Sequence, residues 1–263
     1  MKLFSIFGNP VAHSISPKLH NTVIDALGLD ACYTRTHIEN PSLLKDTFIA
    51  MQLDGANVTV PHKEVAFSIC DEVRGIAQKI KAVNTLVKEN NKIIGYNTDA
   101  PGFLASIESF GKIENALILG AGGTAKAVAF ALDENKIHTT VFNRSKERLG
   151  FFTENKFETY HKDTFSPSSY DLIINTTSAG LNNEELPCEK ELLEKLMQKA
   201  KFAFDVIYNK PTPFLTLARQ NNLTCKDGSD MLLHQGILAF HLFFHKKYDI
   251  QTIKHHMKKA FSL

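Results

Sequence analysis

The stretch that most limits the fold is Ala116–Leu119 followed by Gly120-Ala121-Gly122-Gly123-Thr124-Ala125. The apolar run predicts a buried strand and the glycines a tight turn. Thr124–Asn135, with Ala125, Val128, Ala129 and Leu132 on one face, predicts a helix. Strand, glycine turn and helix in that order form the context of a dinucleotide fingerprint. The glycines let backbone approach a pyrophosphate, and the helix N-terminus offers free N–H groups and a positive dipole. Ala125 stands at the third fingerprint glycine, where a methyl still fits. A plain connecting loop uses the same residues, so the turn needs a second signal.

The next predicted strand supplies one. It ends Val141-Phe142-Asn143-Arg144-Ser145, with Asn143 23 residues after Gly120, where NAD enzymes carry an acidic residue for the ribose diol. No carboxylate stands there. Arg144 and Arg148 flank the position, and Asn143 and Ser145 add donors. A guanidinium forks onto a phosphate and stacks on an adenine, so the expected cofactor is NADP.

Elsewhere short apolar runs alternate with helical patterns, which predicts an α/β protein built on parallel sheet. At 263 residues the chain has length for two domains, each with its own core. Leu3–Phe7 predicts a strand. A helix follows from Pro17 to about Leu27, with Ser16 as N-cap and Gly28 at its end. Ala56–Val60 predicts a strand stopped by Pro61, with a helix at His62–Cys70. Ala82–Lys88 and Lys92–Tyr96 predict a hairpin joined by Glu89-Asn90-Asn91. Near residue 100 the pattern restarts, and Thr139–Phe142, Leu172–Asn175 and Phe202–Val206 predict further buried strands. Helices at Ser229–Lys247 and Ile250–Phe261 have no strand after them; order alone leaves open whether they pack on the first domain or bridge the two.

Composition closes several classes. With 30 basic and 28 acidic residues the net charge is +2, without the clustered basic footprint that nucleic acid requires. The 43% hydrophobic content is that of a globular chain. Cys32, Cys70, Cys188 and Cys225 lie more than 30 residues apart, which fits neither a CxxC element nor a dense disulfide framework, so reduced thiols are expected. No apolar run is long enough for a signal peptide or a membrane span, and a cytoplasmic location is expected. The histidines, His255 and His256 included, lack metal-ligand spacing, so no metal is expected.

Five polar patches remain. In Asn9–Asn21, Ser14 and Ser16 point the same way if the stretch is extended, and two hydroxyls before a helix N-terminus suit a small carboxylate. Taken alone, Ser16 is better explained as a helix cap. In Asn57-Val58-Thr59-Val60-Pro61-His62-Lys63 a strand ending at proline brings Thr59 and Lys63 to its C-terminal edge, where open α/β sheets bind ligands. Asn84, Asp99 and Gln235 complete the set. Singly these are ordinary structural residues. They gain weight by occurring together and beside the NADP signal.

These segments, in order along nearly the whole chain, resemble the shikimate dehydrogenase family. The matching stretches are Asn9–Asn21, Asn57–Lys63, Ala82–Thr85, Asn97–Asp99, Gly120–Ala125, Asn143–Arg148, Asn175–Gly180, Asp205–Tyr208 and Asp227–Gln235. Lys126 stands where the family often has arginine, Thr124 where alanine is common, and Val206 in place of a bulkier residue. The resemblance implies NADP-dependent reduction of 3-dehydroshikimate to shikimate, in aromatic amino-acid biosynthesis. It implies an α/β fold of two domains with an active-site cleft between them. The N-terminal substrate domain is expected at 1–100 plus 236–263, and the Rossmann-type NADP domain at 101–235. Substrate contacts are implied for Ser14, Ser16, Thr59, Lys63, Asn84, Asp99, Tyr208 and Gln235. Cofactor contacts are implied for Gly120, Ala121, Gly122, Gly123, Thr124, Asn143, Arg144, Ser145, Lys146, Glu147, Arg148, Val206 and Gly228. The expected partner is a small molecule, with a homodimer left open and no nucleic acid or membrane.

Ketone reduction needs a hydride and a proton for the developing alkoxide. Lys63 is expected to be the acid, with Asp99 holding it and sharing the hydroxyl. His62 is the competing acid because histidine titrates near neutrality; it ranks lower because residue 63 matches the family's lysine. Quinate or dual quinate/shikimate dehydrogenases share the scaffold, and Arg144 argues against an NAD-using quinate enzyme. A folate-type methylene dehydrogenase is disfavoured by the Ser14/Ser16 pair. A non-catalytic NADP sensor is disfavoured by the presence of both Lys63 and Asp99.

Overall fold

The computed structural model describes residues 1–261 except Pro167 and Asn209. The chain divides into two units, Met1–Gly102 with Leu232–Leu263, and Phe103–Met231.

The first unit runs β1 (Lys2–Gly8), α1 (Ser16–Ala26), β2 (Ala31–His37), α2 (Leu44–Ala50), β3 (Gly55–Val58), α3 (Lys63–Ile69), β4 (Glu72–Val73), α4 (Ala77–Ile80), β5 (Thr85–Glu89) and β6 (Lys92–Tyr96). The strands form one six-stranded sheet in the order β2-β1-β3-β5-β6-β4. β1 pairs parallel with β2 and β3, whereas β5 is antiparallel to both β3 and β6. Period-two alternation in β1 explains why both faces are covered. Phe4 and Ile6 enter one core with Leu19, Val23, Phe240 and Phe243, while Phe7 enters the other with Leu44, Phe48, Val58 and Leu86. A fully buried side chain of this size contributes about 1.5–3 kcal/mol over leaving it in water.

The second unit contains the end of α5 (Asp99–Ile107), then β7 (Asn115–Leu119), α6 (Gly123–Glu134), β8 (His138–Asn143), α7 (Gly150–Glu154), β9 (Glu158–His161), β10 (Leu172–Asn175), α8 (Lys190–Met197), β11 (Phe202–Asp205), α9 (Pro213–Gln220) and β12 (Thr224–Lys226). Its sheet is all parallel in the order β12-β11-β10-β7-β8-β9. Strand order reverses between β7 and β10, the doubly wound arrangement that opens a crevice at the strands' C-terminal ends. Two helices close the chain, α10 (Ser229–Phe243) and α11 (Ile250–Lys259). Ile253 and Met257 of α11 join the first unit's core beside Leu19 and Val23. The last helices therefore pack on the first unit.

Several expectations shift. The unit boundaries fall two residues later than 100 and four earlier than 236, because both crossings lie inside continuous helices. Ser16 is not an N-cap: α1 begins at Ser16 itself, and Ile15 occupies the cap without a side-chain hydrogen bond. The helix ends as expected, with Gly28 at φ +60° and Leu29 N–H donating to the Ile24 carbonyl at 3.0 Å. β3 stops at Val58 rather than Val60, since its last sheet partner on β1 is Phe7. The hairpin loop is two residues, Asn90 and Asn91, both at positive φ, the turn whose twist suits paired strands. α10 ends at Phe243, short of Lys247. β2, β4, β9 and β12 were not legible. β2, Ala-Cys-Tyr-Thr-Arg-Thr-His, is an edge strand with much polar surface and no apolar run.

Candidate active site

One end of the first sheet gathers the polar patches. β3 ends there, β5 starts there and β6 ends there, because β5 is antiparallel to both neighbours. Asn57 is thereby opposite Thr85, and Thr85 opposite Tyr96. The loop after β3 turns through Pro61 and starts α3 at Lys63, while the loop after β6 starts α5 at Asp99. Lys63 Nζ donates to Asp99 Oδ2 at 2.6 Å, with both side chains mostly buried at 12% and 8% exposure.

Asn84 holds the other carboxylate oxygen. Its Nδ2 donates to Asp99 Oδ1 at 2.8 Å and to Thr98 Oγ1 at 3.0 Å, and its Oδ1 accepts from Thr98 N–H at 2.7 Å. Asn97 fixes the start of α5: its Oδ1 accepts from Asp99 N–H and Ala100 N–H, and its Nδ2 donates to the Ala82 carbonyl at 3.0 Å. Thr98 Oγ1 lies 3.5 Å from Oε1 of Gln235, whose amide nitrogen donates to the Leu232 carbonyl. Lys63, Asn84, Asp99 and Gln235 thus belong to one buried network.

Ser14 and Ser16 are also brought together, their hydroxyls 3.2 Å apart and both buried. The backbone is not extended there. Ser14 N–H closes a turn on the Val11 carbonyl, and Ser16 N–H reaches Ser14 Oγ at 3.3 Å. Arg35 Nε donates to the Ser14 carbonyl at 2.8 Å. Thr59 is half-buried, and its backbone N–H donates to the Phe7 carbonyl. A Cβ on Gly8 would strike its methyl, so Gly8 is the residue that lets the two loops close up. His62 is buried with Nε2 2.7 Å from the Ile38 carbonyl, so its ring is engaged with backbone away from Asp99's carboxylate contacts.

In the second unit the fingerprint glycines follow β7. Gly120 sits at φ +114°, and a Cβ there would lie 2.6 Å from Thr176 Oγ1, so the turn needs glycine on both counts. Gly122 has open space around it, and Gly123 and Thr124, both half-buried, begin α6. Ala121 and Ala125 are buried in the packing. At the end of β8, Asn143 Nδ2 donates to the Ser145 carbonyl and hydroxyl, shaping the turn that carries Lys146, Glu147 and Arg148. Arg144 and Arg148 are exposed, and no carboxylate ends this strand. The cradle therefore fits a pyrophosphate followed by a ribose phosphate. Val206 and Gly228 lie backbone to backbone, with no space for a Cβ on Gly228 against the Val206 carbonyl. Tyr208 is half-buried in the same unit.

Two buried polar clusters were not singled out from the sequence. Asn57, Thr85, Asn97 and Thr98 lie inside the matching stretches but were given no role of their own. Asp205 is wholly buried and accepts from Asn175 Nδ2, Ile207 N–H and Thr212 Oγ1 at 3.2, 3.0 and 2.7 Å. Burial pushes its carboxyl up to about 6 despite those donors. Among the described residues no group of three or more metal-ligating side chains is present.

A family model described as the shikimate dehydrogenase substrate binding domain matches residues 6–86. A shikimate dehydrogenase (NADP(+)) of Helicobacter hepaticus is 50% identical over 248 residues, covering 94% of this chain and 92% of that protein. Its counterpart from a Helicobacter pylori strain is 44% identical, with 92% of each chain covered. Among solved structures, a shikimate 5-dehydrogenase of Thermus thermophilus in complex with NADP(H) and shikimate superposes with a TM-score of 0.83 at 33% identity, covering 99% of this chain and all of that one.

Proposed function

We propose a division of labour among these residues, and its premise is that the chain belongs to the shikimate dehydrogenase family. The chain is an NADP-dependent oxidoreductase that interconverts 3-dehydroshikimate and shikimate. NADPH, when bound, supplies the hydride for the ring ketone. Lys63 gives its Nζ proton to the oxygen as negative charge develops, and takes it back in the oxidation. Asp99 holds that ammonium and accepts from the same substrate hydroxyl. Asn84, by occupying Asp99 Oδ1, leaves Oδ2 for lysine. The observation that carries this assignment is the buried 2.6 Å Lys63–Asp99 pair at the C-terminal edge of the sheet.

Ser14 and Ser16 donate to the substrate carboxylate, and Thr59, Tyr208 and Gln235 contact its ring hydroxyls. Gly120–Thr124 and the α6 N-terminus hold the pyrophosphate, Asn143–Arg148 the adenosine 2′-phosphate, and Val206 and Gly228 the nicotinamide end. The four free thiols support a reducing compartment, the cytoplasm. A second copy of the chain is the remaining partner to test, read by sedimentation as twice 29.4 kDa.

The test follows NADPH formation from shikimate and NADP. Wild type is expected to turn over, and Lys63→Ala to lose on the order of 10²–10⁴ in kcat with modest change in KM. A variant that mainly raised KM would make Lys63 a binding residue and overturn the assignment.

A further inference from the structure

We propose that Tyr33 is a positioning residue for the Lys63–Asp99 pair, acting through Asn57 and Asn84. The inference rests on the assignment of that pair as the proton-transfer site. Tyr33 is buried on the edge strand β2 and its hydroxyl lies 2.7 Å from Asn57 Oδ1. The amide of Asn57 has no freedom to turn over. Its other end faces the Asn84 carbonyl at 3.2 Å, an acceptor only, so that end is the NH₂ and the Tyr33 hydroxyl must be the donor. The same NH₂ donates to Thr85 Oγ1 at 3.1 Å, and Thr85 Oγ1 lies 3.1 Å from Asn84 Oδ1 and 3.2 Å from Thr98 Oγ1.

Asn84 is fixed by the same logic. Thr98 N–H can only donate, so Oδ1 is there, and Nδ2 faces the Asp99 carboxylate. Donors therefore point one way from the phenol to Asp99, and the carboxylate orientation that receives Lys63 is set by the whole series. Burial keeps the Tyr33 phenol protonated, hence a donor, far above its ordinary range.

Tyr33 is itself held on two sides from α1. Asn21 clamps its backbone, Oδ1 accepting from Tyr33 N–H and Nδ2 donating to the Tyr33 carbonyl, each at 2.9 Å. His20 stacks flat on its ring, centroids 4.2 Å apart and planes within 3°. Burial lowers the His20 pKa to about 3, so the stacked ring is neutral. The helix that opens at Ser16 thereby fixes the far end of the series that ends on Lys63.

The experiment compares Tyr33→Phe, Asn57→Ala and the double variant in shikimate oxidation, with thermal unfolding of each. Tyr33→Phe keeps the ring and the stack and removes only the donor. Its kcat is expected to fall roughly tenfold with both KM values within about twofold, the scale of one buried hydrogen bond lost in the transition state. In the double variant kcat should match Asn57→Ala alone, because the two act in series. Ser5→Ala, which deletes a buried hydroxyl bonded to Thr36 on the same sheet, should lower stability and leave kcat alone.

Unchanged kcat in Tyr33→Phe, a loss expressed in KM, or additive losses in the double variant would each overturn the proposal. If Tyr33→Phe does not fold, Asn57→Ala probes the series with the aromatic stack intact, and full kcat there overturns it too. Lys63→Ala, assayed alongside, separates the two levels. If it retains kcat, the site assignment itself fails; if it is inactive while Tyr33→Phe is normal, only the role of Tyr33 fails.

Discussion

Asp205 offers a quantitative test of how this fold handles a buried charge. Its carboxylate is completely buried between the ends of β10 and β11 and the start of α9, and it accepts three hydrogen bonds. Burial disfavours the charged form more than the donors favour it, so its folded pKa rises from 3.8 to about 6. At about 1.4 kcal/mol per pH unit, that gap is worth about 3 kcal/mol. The folded state keeps a proton that the unfolded state has already released. This group's stabilising contribution is therefore complete below pH 3.8 and is lost as pH rises through about 6. Between about pH 4.5 and 7.5 the expected loss is about 2 kcal/mol. The direct assay is a ¹³C carboxyl titration of Asp205, with a midpoint expected near 6. In parallel, Asp205→Asn removes the titration with little change of shape. Relative to wild type, its stability should decline about 2 kcal/mol less across that pH range. A midpoint at or below about 4, or parallel pH profiles for the two proteins, would show that the three donors outweigh burial and would refute the reasoning.

Two further predictions concern the cofactor half. Arg144→Ala should raise KM for NADP about tenfold or more while leaving KM for NAD nearly unchanged, as loss of a charge-assisted phosphate contact requires; steady-state kinetics with both cofactors decides it, and equal effects on the two would remove Arg144 from the phosphate. Gly228→Ala drives a methyl onto the Val206 backbone carbonyl, so that backbone must move. A loss of about 1–3 kcal/mol in unfolding experiments, together with weaker NADP binding, is expected.

The helical periodicity of 123–134 and the glycines before it fixed the second unit locally. Gly120 adopts φ +114°, a local demand that favours glycine, so the turn could be found from the sequence alone; the close approach of Thr176 adds a tertiary demand for the same residue. Lys63 and Asp99 were likewise legible, because each follows a strand-ending signal and begins a helix. The edge strands were not. β2 has one buried residue, Tyr33, and its other six are half-buried or exposed, so no apolar run marks it.

Ser14 and Ser16 show the same division from the other side. Sequence marked Ser14 and Ser16 as a pair on the condition of an extended backbone, and read Ser16 as the cap of α1; the structure joins them through a turn instead. By itself the sequence marked which residues are candidates for the chemistry and where strands give way to helices, since backbone preference and period act within a few residues. Only tertiary structure decided that Tyr33, Asn57, Asn84 and Asp99 form one series ending on Lys63. Their hydrogen bonds span 15 to 36 residues, and the partner a buried amide finds is set by which strands pair, not by the residues beside it in the chain.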